Sequence, residues 1–483
     1  MFGFRQIKYY SNRYEFSKRK YILLIFLCSF FIFNYLIINI ILLKRTTINL
    51  LSFLLFNEEI EINAKFSPDW EKRLNLINCE KIYKGNLNYI LKNKIQIGDP
   101  LEEEGLLMDC FSIKRRNEME NYWYKNTTKE EKEFPLAFTR IVYKDYLLLE
   151  MELALHYTPE NWYCYVVDSK SSPLFYSRLQ RLSKCFTNVI IAEKRFSISR
   201  GGHNTSDGMI ECANILAKPE KRWNYLINLQ NHDIQAKTNA EMVKIFSLLD
   251  GANDVEIGDE SSFTIERIEY YLDNFIWSFD ELKLFKNDSK NKQTFLPGNP
   301  FGLNVLTLSK GYSAASLSRQ FINFITKELN LKKILEQLNY AEFGVDEHLW
   351  QSLSITDALD APGGFSRQCY VLGHKTPFIT RHGVCVFGLE DLLFNKNIFN
   401  LPHLFINKMM PQYDFGVIKC WHKKLKERQK LNSERTMNFD FYRDWPQYQF
   451  NFFFFKNKVG RLSIPINILK KAKKGIVFLS IEN

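Results

Sequence analysis

The chain has 483 residues, of which 46% are hydrophobic, and it carries a formal net charge of +11. This length excludes a single small domain, and the absence of a repeating period excludes a solenoid. A basic balance would suit nucleic acid, a membrane surface or a phosphorylated substrate. Much of the excess, however, lies beside an apolar N-terminal segment and in the C-terminal tail, so the charge gives no reason to expect nucleic-acid binding.

The apolar segment 21–43 contains no charged residue. Its length is enough to cross a hydrocarbon core of about 30 Å as a helix. Basic residues dominate its N-terminal flank and place the N-terminus in the cytosol. A cleaved signal peptide is the alternative, but the segment is longer than such peptides carry and no A-x-A-like site follows it. We therefore predict a single-pass type II membrane protein, with residues 1–20 as a cytoplasmic tail and 21–43 as a signal anchor.

The part that follows the anchor divides into three regions. Residues 44–75 show little pattern and are expected to form a stem. Residues 76–425 contain the regular patterns and form the predicted lumenal globular domain. Residues 426–483 form a C-terminal tail to which the sequence assigns no role. The basic run Lys423–Lys430 beside this boundary is expected to be a solvated helix face.

Cysteines and sequons agree with an oxidising lumen. The sequence contains neither a C-x-x-C pair nor a His/Cys cluster at ligand spacing, so it does not predict a metal site. The cysteines after the anchor are even in number, as expected for a set of disulfides whose pairing the sequence alone leaves open: Cys79, Cys110, Cys164, Cys185, Cys212, Cys369, Cys385 and Cys420. The N-x-S/T sequons after the anchor are candidate glycosylation sites: Asn126, Asn204 and Asn287.

Strand-like and helix-like stretches alternate from residue 134 onwards. This alternation is typical of βαβ units and predicts an α/β fold with a mostly parallel sheet covered by helices on both faces. The β-rich stretches are 134–142, 162–167, 188–192 and 225–229, and the stretches with helical spacing are 145–155, 173–184, 207–218 and 239–249.

Polar residues follow two of the predicted strands. Asp168 ends the second strand, and Asn231, His232 and Asp233 follow the fourth. Sheets of this kind bind ligands beyond the carboxyl ends of their strands, so these residues are candidates for a site. For His232 and Asp233, lining a pocket and a purely structural role are both open.

Several stretches between Phe134 and Trp421 resemble segments of one known protein family and follow one another in the same order as in that family. They read FPLAFTRIVYKD, NWYCYVVDSKS, KCFTNVIIAEKR, WNYLINLQNHDIQAKTN, FGVDEHLWQSL and RHGVCVFGLEDL. In these stretches the chain resembles the core-2/I-branching β1,6-N-acetylglucosaminyltransferases, and specifically their divergent invertebrate members. The resemblance implies a GT-A-like nucleotide-sugar-binding fold for 76–425. It also implies inverting transfer from a UDP-sugar, usually UDP-GlcNAc, to a hydroxyl of a glycan or glycoprotein at the Golgi membrane.

An inverting transfer needs a carboxylate that takes the proton of the attacking hydroxyl. Glu347, in GVDEHLW, matches the family position of this base. Acids are also common in the first turn of a helix, where they favour the dipole. For the neighbouring Asp346 this second interpretation is preferred, and we expect it to cap the helix.

The charge on the departing diphosphate must be offset. The sequence contains no D-x-D motif, which most GT-A enzymes use to hold a divalent metal. The resemblance implies that basic side chains act instead and that no metal cofactor is needed. Lys408 matches the family lysine, and either Arg381 or His382 falls at the family arginine. Arg381 is favoured because a guanidinium stays charged and binds phosphate in a bidentate manner.

The remaining residues that the resemblance assigns concern the nucleotide and the disulfides. Asp168 resembles the aspartate that contacts uracil, although an acid in a turn is the alternative. The family scheme pairs all the lumenal cysteines: Cys79 with Cys420, Cys110 with Cys185, Cys164 with Cys212, and Cys369 with Cys385.

One departure from the family leaves the acceptor open. Between Pro362–Gly364 and Cys385 the chain is much shorter than the core-2 enzymes, and it lacks the aromatic pair that helps to hold their acceptor sugar. Two alternatives to GlcNAc transfer therefore stay open. One is transfer from UDP-xylose to a protein serine, and the other is an inactive membrane relative that binds glycans, because a fold does not guarantee an activity.

Overall fold

The computed structural model describes residues 76–96, 106–119, 127–258, 262–292, 304–365, 386–389, 391–394, 403–431, 439–443, 445 and 448. None of the helices within these ranges combines the length and apolar composition that crossing a bilayer requires. The predicted tail, anchor and stem lie outside the described residues, and so do Asn126, Cys369, Arg381, His382 and Cys385.

A six-stranded sheet forms the centre of the described region, with strand order β3-β2-β1-β4-β7-β6. A separate two-stranded ribbon pairs β5 with β8. The strands are β1 (Leu136–Val142), β2 (Trp162–Val167), β3 (Val189–Ile191), β4 (Tyr225–Leu229), β5 (Asp233–Gln235), β6 (Asp254–Val255), β7 (Ala315–Ser318) and β8 (Phe405–Asn407).

Helices connect and cover these strands. The described α-helices are α1 (Cys79–Tyr83), α2 (Leu87–Lys92), α3 (Cys110–Arg116), α4 (Lys129–Glu133), α5 (Tyr146–His156), α6 (Pro173–Lys184), α7 (Thr205–Leu216), α8 (Asn239–Leu249), α9 (Ser262–Asn274), α10 (Phe279–Leu282), α11 (Asp288–Asn291), α12 (Arg319–Lys327), α13 (Lys332–Leu338), α14 (Leu349–Ile355), α15 (Asp391–Phe394), α16 (Pro411–Leu431) and α17 (Asp440–Arg443).

The predicted mostly parallel sheet is confirmed. Strands β3, β2, β1 and β4 run parallel to one another, and β2, β4, α6 and α8 have the bounds that the sequence predicts. Strand β7 is the exception, because it pairs antiparallel with both β4 and β6. The sequence patterns did not reveal β7, because its four residues are three small residues and one leucine and show no clear alternation.

The hydrophobic core occupies both faces of the sheet. On β1, Ala137 and Ile141 contribute to one cluster of buried residues, whereas Leu136, Phe138 and Val142 contribute to the other. Every residue of β1 is buried, which is the pattern of a central parallel strand rather than of a strand with a solvated face. A third cluster lies around the β5–β8 ribbon and α16.

The C-terminal part of the described chain is packed against this core. The predicted division between residues 425 and 426 lies inside α16, and Tyr442 and Trp445 beyond it are buried. The expectation of a solvated basic face is wrong for Arg428, which is buried in an ion pair with Glu241 at 2.5 Å. This pair fastens α16 to α8.

Three disulfides hold peripheral helices to the sheet and to one another. Cys79–Cys420 joins α1 to α16, Cys110–Cys185 joins α3 to the end of α6, and Cys164–Cys212 joins β2 to α7. These are pairs that the family resemblance implies. The fourth implied pair lies outside the described residues.

A charged cluster is buried beside the parallel strands. The Glu152 carboxylate accepts hydrogen bonds from His422 Nε2 at 2.5 Å and from the Gln235 backbone at 3.1 Å, and it lies 3.6 Å from the Arg140 guanidinium. Partners of opposite charge and hydrogen bonds offset the cost of burying this carboxylate. The cluster therefore ties β1, α5, β5 and α16 together.

His156 is buried next to this cluster and stacks on aromatic rings. Its ring centroid lies 4.6 Å from that of Phe138 and 5.2 Å from that of Tyr163. Neither ring nitrogen has a hydrogen-bond partner. Burial, reinforced by the charge of Arg140, lowers the pKa of His156 to about 3, so the folded protein keeps this ring neutral.

This pKa predicts an acid-dependent loss of stability. As the pH falls below the unfolded value of about 6.5, the unfolded chain binds a proton at His156 that the folded chain does not, which costs about 1.4 kcal/mol per pH unit. His156→Phe keeps the stacked ring and removes the titration. The free energy of unfolding of this variant, measured by urea denaturation between pH 4.5 and 6.5, is expected to depend less steeply on pH by that amount. His203→Gln, which changes a half-buried surface histidine, is the control; equal slopes in all three proteins would contradict the prediction.

Candidate active site

The carboxyl ends of β1, β2 and β4 meet at one edge of the sheet, as parallel strands require. Because β7 runs antiparallel to β4, its amino end reaches the same edge. The segments that meet there are therefore the residues after β1, β2 and β4 and the residues before β7. This geometry brings the predicted strand-end residues next to the turn that carries Glu347.

Glu347 lies in a 3-10 turn, Val345–Glu347, which Gly344 enters with a φ of 71°. Its backbone carbonyl accepts a hydrogen bond from Gly311 at 2.9 Å, and its Oε2 forms an ion pair with Lys310 Nζ at 2.7 Å. The Glu347 side chain is 30% exposed, whereas that of Lys310 is 15% exposed. Within the described residues Oε1 makes no hydrogen bond, so this oxygen is available to a ligand hydroxyl.

Two further side chains flank this ion pair. The Arg267 guanidinium carbon lies 5.0 Å from the centroid of the Phe263 ring, and Lys310 Nζ lies 5.2 Å from the same centroid. Arg267 also donates a hydrogen bond to the carbonyl of Phe343, in the segment that leads to Glu347. Phe263, Arg267 and Lys310 were not predicted, because they lie in separate elements and only the fold places them around one carboxylate.

The predicted helix-capping role of Asp346 is wrong. Helix α14 begins after His348 without a side-chain cap, and Asp346 is buried instead. A Cβ on Gly202 would lie 2.1 Å from Asp346 Oδ1, so only a glycine permits this approach. Burial and the charge of Glu347 raise the pKa of Asp346 to about 7, although a hydrogen bond from Ser313 acts in the opposite direction.

The Gly201–Gly202 pair forms a tight turn that also positions the candidate base. The Gly201 carbonyl accepts hydrogen bonds from Gly344 at 2.7 Å and from Val345 at 3.2 Å. The loop that follows β3 therefore holds the turn of Glu347 in place.

Asp168 lies at the start of the same loop system. Its Oδ1 accepts hydrogen bonds from the Lys170 backbone at 2.9 Å and from the Ile198 backbone at 3.4 Å, and its Oδ2 pairs with Lys170 Nζ at 3.2 Å. Arg195 donates to the Asp168 carbonyl at 2.7 Å. The Asp168 carboxylate is thus fixed at the end of β2. It also lies in a turn, as expected if Asp168 is an acid in a turn rather than a uracil ligand.

Asp233 has a structural role. It is fully buried, its Oδ2 accepts a hydrogen bond from the Gln230 backbone at 2.7 Å, and its Oδ1 accepts one from Asn407 Nδ2 at 2.6 Å. Lys408 directly follows Asn407 and is half-buried. Gln230 continues the connection by donating to Ser313 Oγ at 2.7 Å. These bonds link the segment of Lys408 to that of Asp346.

His232 lies between these segments. Its Nε2 is 2.6 Å from Asp145 Oδ2, at the end of the loop that follows β1. Burial lowers the pKa of His232, while the hydrogen bond and charge of Asp145 act in the opposite direction and the charge of Lys408 lowers it further. Lys408 is therefore close enough to His232 for their charges to interact.

Within the part of the chain that the structure describes, the arrangement offers carboxylates and cations but no cluster of ligands for a metal ion. Among the described residues no three His, Cys, Asp or Glu side chains are grouped so that they could hold a metal ion. The Glu347 carboxylate, one oxygen of which makes no hydrogen bond within the described residues, can deprotonate a hydroxyl. The fixed Asp168 carboxylate at the end of β2 can bind a polar base, and Lys408 can attract an anion.

A cleft at the opposite edge of the sheet contains none of the predicted site residues. It is lined in part by Lys221, Arg222 and Arg319. The Arg319 guanidinium donates to carbonyls at the end of α7, including those of Leu216 at 3.1 Å and Ala217 at 2.9 Å. The Arg319 side chain thus satisfies free carbonyl groups at the C-terminal end of α7, and it contributes part of the positive charge that lines the cleft.

Among the predicted glycosylation sites, the two described asparagines differ. Asn287 is exposed, and its Oδ1 caps α11 by accepting a hydrogen bond from the Ser289 backbone. Asn204 is half-buried, and its Nδ2 donates to the Ser197 carbonyl at 2.8 Å. Of these two asparagines, Asn287 is therefore the more exposed.

Comparison with solved structures finds a weak likeness. The mannosyltransferase Ktr4p from S. cerevisiae in complex with GDP is 13% identical, with a TM-score of 0.24, over 64% of this chain and 85% of that chain. A likeness of this size supports no statement about the site.

Comparison with known sequences is more informative. Residues 136–372 match the family model described as Core-2/I-Branching enzyme. The chain is 26% identical to the mouse β-1,3-galactosyl-O-glycosyl-glycoprotein β-1,6-N-acetylglucosaminyltransferase 4, over 88% of this chain and 96% of the relative. It is also 26% identical to the human N-acetyllactosaminide β-1,6-N-acetylglucosaminyl-transferase, over 80% of this chain and 94% of the relative. These matches cover the sheet and the turn of Glu347, so residues 136–372 form a Core-2/I-branching enzyme domain and the chain is a glycosyltransferase.

Proposed function

We propose that this glycosyltransferase is an inverting, metal-independent enzyme that moves N-acetylglucosamine from UDP-GlcNAc to a glycan hydroxyl, forming β1,6 branches in the Golgi. The observation that carries the proposal is the state of Glu347, whose side chain is 30% exposed and whose Oε2 is held by Lys310 at 2.7 Å, while Oε1 makes no hydrogen bond within the described residues. The names of the relatives support the donor sugar and the linkage.

In the proposed reaction Glu347 is the general base. Oε1 accepts the proton of the acceptor hydroxyl as this oxygen attacks the anomeric carbon from the side opposite to UDP. Lys310 keeps the carboxylate in one orientation through the other oxygen. The half-exposed Phe263 ring beside Lys310 offers an apolar face of the kind on which a sugar can pack. It stands near the base in a chain that lacks the family's aromatic pair.

On the donor side, Asp168 contacts the uracil and Lys408 offsets the charge of the diphosphate. The fixed position of Asp168 at the end of β2 supports the first assignment, because GT-A-like folds bind nucleotides beyond the carboxyl ends of their strands. The hydrogen bonds from Asn407 through Asp233 to Gln230 support the second, since they hold the Lys408 segment at the same edge. Arg381 or His382 completes the cationic group in this proposal.

The proposed location is the lumen of the Golgi, with the chain anchored by 21–43. The support is the apolar segment with its basic N-terminal flank, together with three disulfides, which persist in oxidising compartments. Transfer from UDP-xylose is the second candidate, because the shortened segment before Cys385 removes the acceptor contacts that would identify a glycan. A panel of UDP-sugars in a donor-hydrolysis assay separates the two donors.

Replacing the base tests the proposal directly. Glu347→Gln is expected to lower kcat for transfer from UDP-GlcNAc by about 10²–10⁴-fold, because the amide cannot take the proton. The donor affinity, measured by calorimetry, is expected to stay unchanged. Glu342→Gln changes an exposed acid five positions earlier and serves as the control. Full activity of the Glu347 variant would remove the proposed mechanism.

Replacing the cation and removing metals test the leaving-group site. Lys408→Ala is expected to lower kcat/KM by about 10²–10³-fold, the range seen when one fixed electrostatic stabiliser of a transition state is lost. Lys423→Ala, on the exposed face of α16, is the matched control. Turnover is expected to persist with EDTA, and its abolition by EDTA would show that an ion, rather than side chains, offsets the diphosphate charge.

Glycosylation of Asn287 tests the lumenal location. In secretory cells, Asn287→Gln is expected to abolish one glycosidase-sensitive mass increment, because this asparagine is exposed, whereas Asn204→Gln is expected to leave the glycan mass unchanged. Immunoblots before and after glycosidase treatment measure both. A full chain without any glycosidase-sensitive increment would contradict the proposed topology.

A further inference from the structure

An Asp–His pair lies at the ligand-binding edge and has no part in the proposed mechanism. His232 Nε2 is 2.6 Å from Asp145 Oδ2, and the side chains are only 6% and 9% exposed. The two residues come from different segments, since His232 follows β4 and Asp145 precedes α5. Their pairing therefore exists only in the folded chain.

The surrounding bonds fix which nitrogen of His232 carries the proton. An ionised carboxylate can only accept, so the 2.6 Å contact requires a proton on Nε2. Asn231 Nδ2 also lies 3.3 Å from Nε2, but an amide nitrogen only donates, so this longer approach is not a hydrogen bond once Nε2 carries the proton. Asn231 Oδ1 instead accepts from the backbones of Tyr143 at 2.8 Å and Lys144 at 3.3 Å. Nδ1 makes no hydrogen bond within the described residues. In the neutral ring this nitrogen therefore holds a lone pair that can bind a proton.

Several groups hold Asp145 in place. Gln412, at the start of α16, donates to Asp145 Oδ1, the oxygen that His232 does not use. The ring of Tyr143 meets His232 edge-on, with centroids 5.8 Å apart. Asp145 itself adopts a left-handed conformation with a φ of 61° and makes no capping hydrogen bond to α5. Its carboxylate thus serves His232 and Gln412 rather than the helix behind it.

The charged groups that act on His232 come from two segments, the one after β1 and the one after β8. Asp145 favours the protonated ring, whereas Lys144 beside it and Lys408 after β8 favour the neutral ring. Burial also favours the neutral ring, and the pKa of His232 is lowered overall. Without a ligand, the pair therefore consists of a neutral imidazole and a negative carboxylate.

This resting charge is unsuited to an anionic ligand. A diphosphate that binds at Lys408, as the proposed function states, would meet a pair whose net charge is −1. One proton from solvent on Nδ1 makes the pair neutral and turns this nitrogen into a donor to a phosphate oxygen. An opposite charge within about 4–6 Å favours the charged form of a group by about 1–3 pKa units, which acts against the effect of burial on the ring.

We propose that His232 and Asp145 form a proton-binding pair that is charged by the arrival of a nucleoside diphosphate and acts as a further cationic element of the leaving-group site. The proposal rests on the proposed function, because Lys408 identifies where the diphosphate binds. His232 contacts the donor, and Asp145 is a positioning residue. Binding of the donor is then coupled to uptake of a proton, and donor affinity falls as the pH rises through neutrality.

The coupling is measured by titration calorimetry of the full chain with UDP-GlcNAc in the absence of acceptor. This probe is chosen because its diphosphate is a diester without a proton to exchange near neutral pH. Binding heats at pH 7 in buffers of different ionisation enthalpy give the number of protons taken up. The wild type is expected to take up a substantial fraction of one proton per ligand. In His232→Gln uptake is expected to fall close to zero, with donor affinity at pH 6 weakened about tenfold, the equivalent of one pKa unit.

Variants at the neighbouring groups make the result specific. Asp145→Asn keeps a partner for Nε2 without the charge, and it is expected to reduce proton uptake. His203→Gln is expected to leave uptake unchanged, because this ring bonds to Ser199 outside the pair. Asp346→Asn tests the other group near the site whose pKa, about 7, lies in this range. Unfolding midpoints confirm that each variant is folded.

The outcomes separate this inference from the proposed function. Binding without dependence on the buffer overturns the proton-binding pair and leaves the proposed function standing. Uptake that persists in His232→Gln but disappears in Asp346→Asn also overturns it, because another carboxyl would then take the proton. Absence of UDP-GlcNAc binding to the wild type, with xylose and other UDP-sugars equally inactive, overturns the proposed function itself.

Discussion

The buried carboxylate of Asp233 is the constraint on which the site depends. It accepts hydrogen bonds from Gln230 on one side and from Asn407 on the other, so it joins the end of β4 to the end of β8. A fully buried carboxylate is stable only when such partners satisfy it, and losing either would leave an uncompensated charge in the core. The position of Lys408 relative to the sheet follows from this one group, and the connection through Gln230 and Ser313 extends it towards Glu347.

The same logic holds deeper in the molecule. Glu152 joins four elements through His422, Gln235 and Arg140, and Arg428 fastens the end of α16 to Glu241. Helix α16 is thus held by ionic contacts along its length as well as by the disulfide of Cys420. Since the helix begins directly after the segment of Lys408, these contacts also position that segment. Because this core contains neutral histidines and ionised acids, the folded chain is expected to be more stable at neutral than at acidic pH.

The surroundings of Glu347 show how a family site can be rebuilt locally. The chain lacks the aromatic pair that the core-2 enzymes place near the acceptor, yet it presents Phe263 between the cations of Arg267 and Lys310 beside the candidate base. Lys310 also occupies one oxygen of the carboxylate and thereby selects which oxygen is open.

Hydrophobic periodicity was sufficient to predict the parallel strands and, for four elements, both bounds at the residue level, because β1, β2 and β4 are buried on both faces and their helices are regular. The family motifs were sufficient to indicate three disulfides and to single out Glu347, Asp168 and Lys408. They could not assign Asp346, which the sequence pattern made a helix cap. Its burial depends on the approach of Gly202 from a distant loop.

What the sequence determined by itself was thus local, namely amphipathic periods and strand ends, and its resemblance to a family added the cysteine pairs and the matching positions. What only the tertiary structure decided was the pairing of charges. Lys310 meets Glu347, Asp145 meets His232, and Asp233 meets Asn407 across long stretches of chain. Such pairs are selected by the distance between two side chains in the folded state, and no local pattern records that distance.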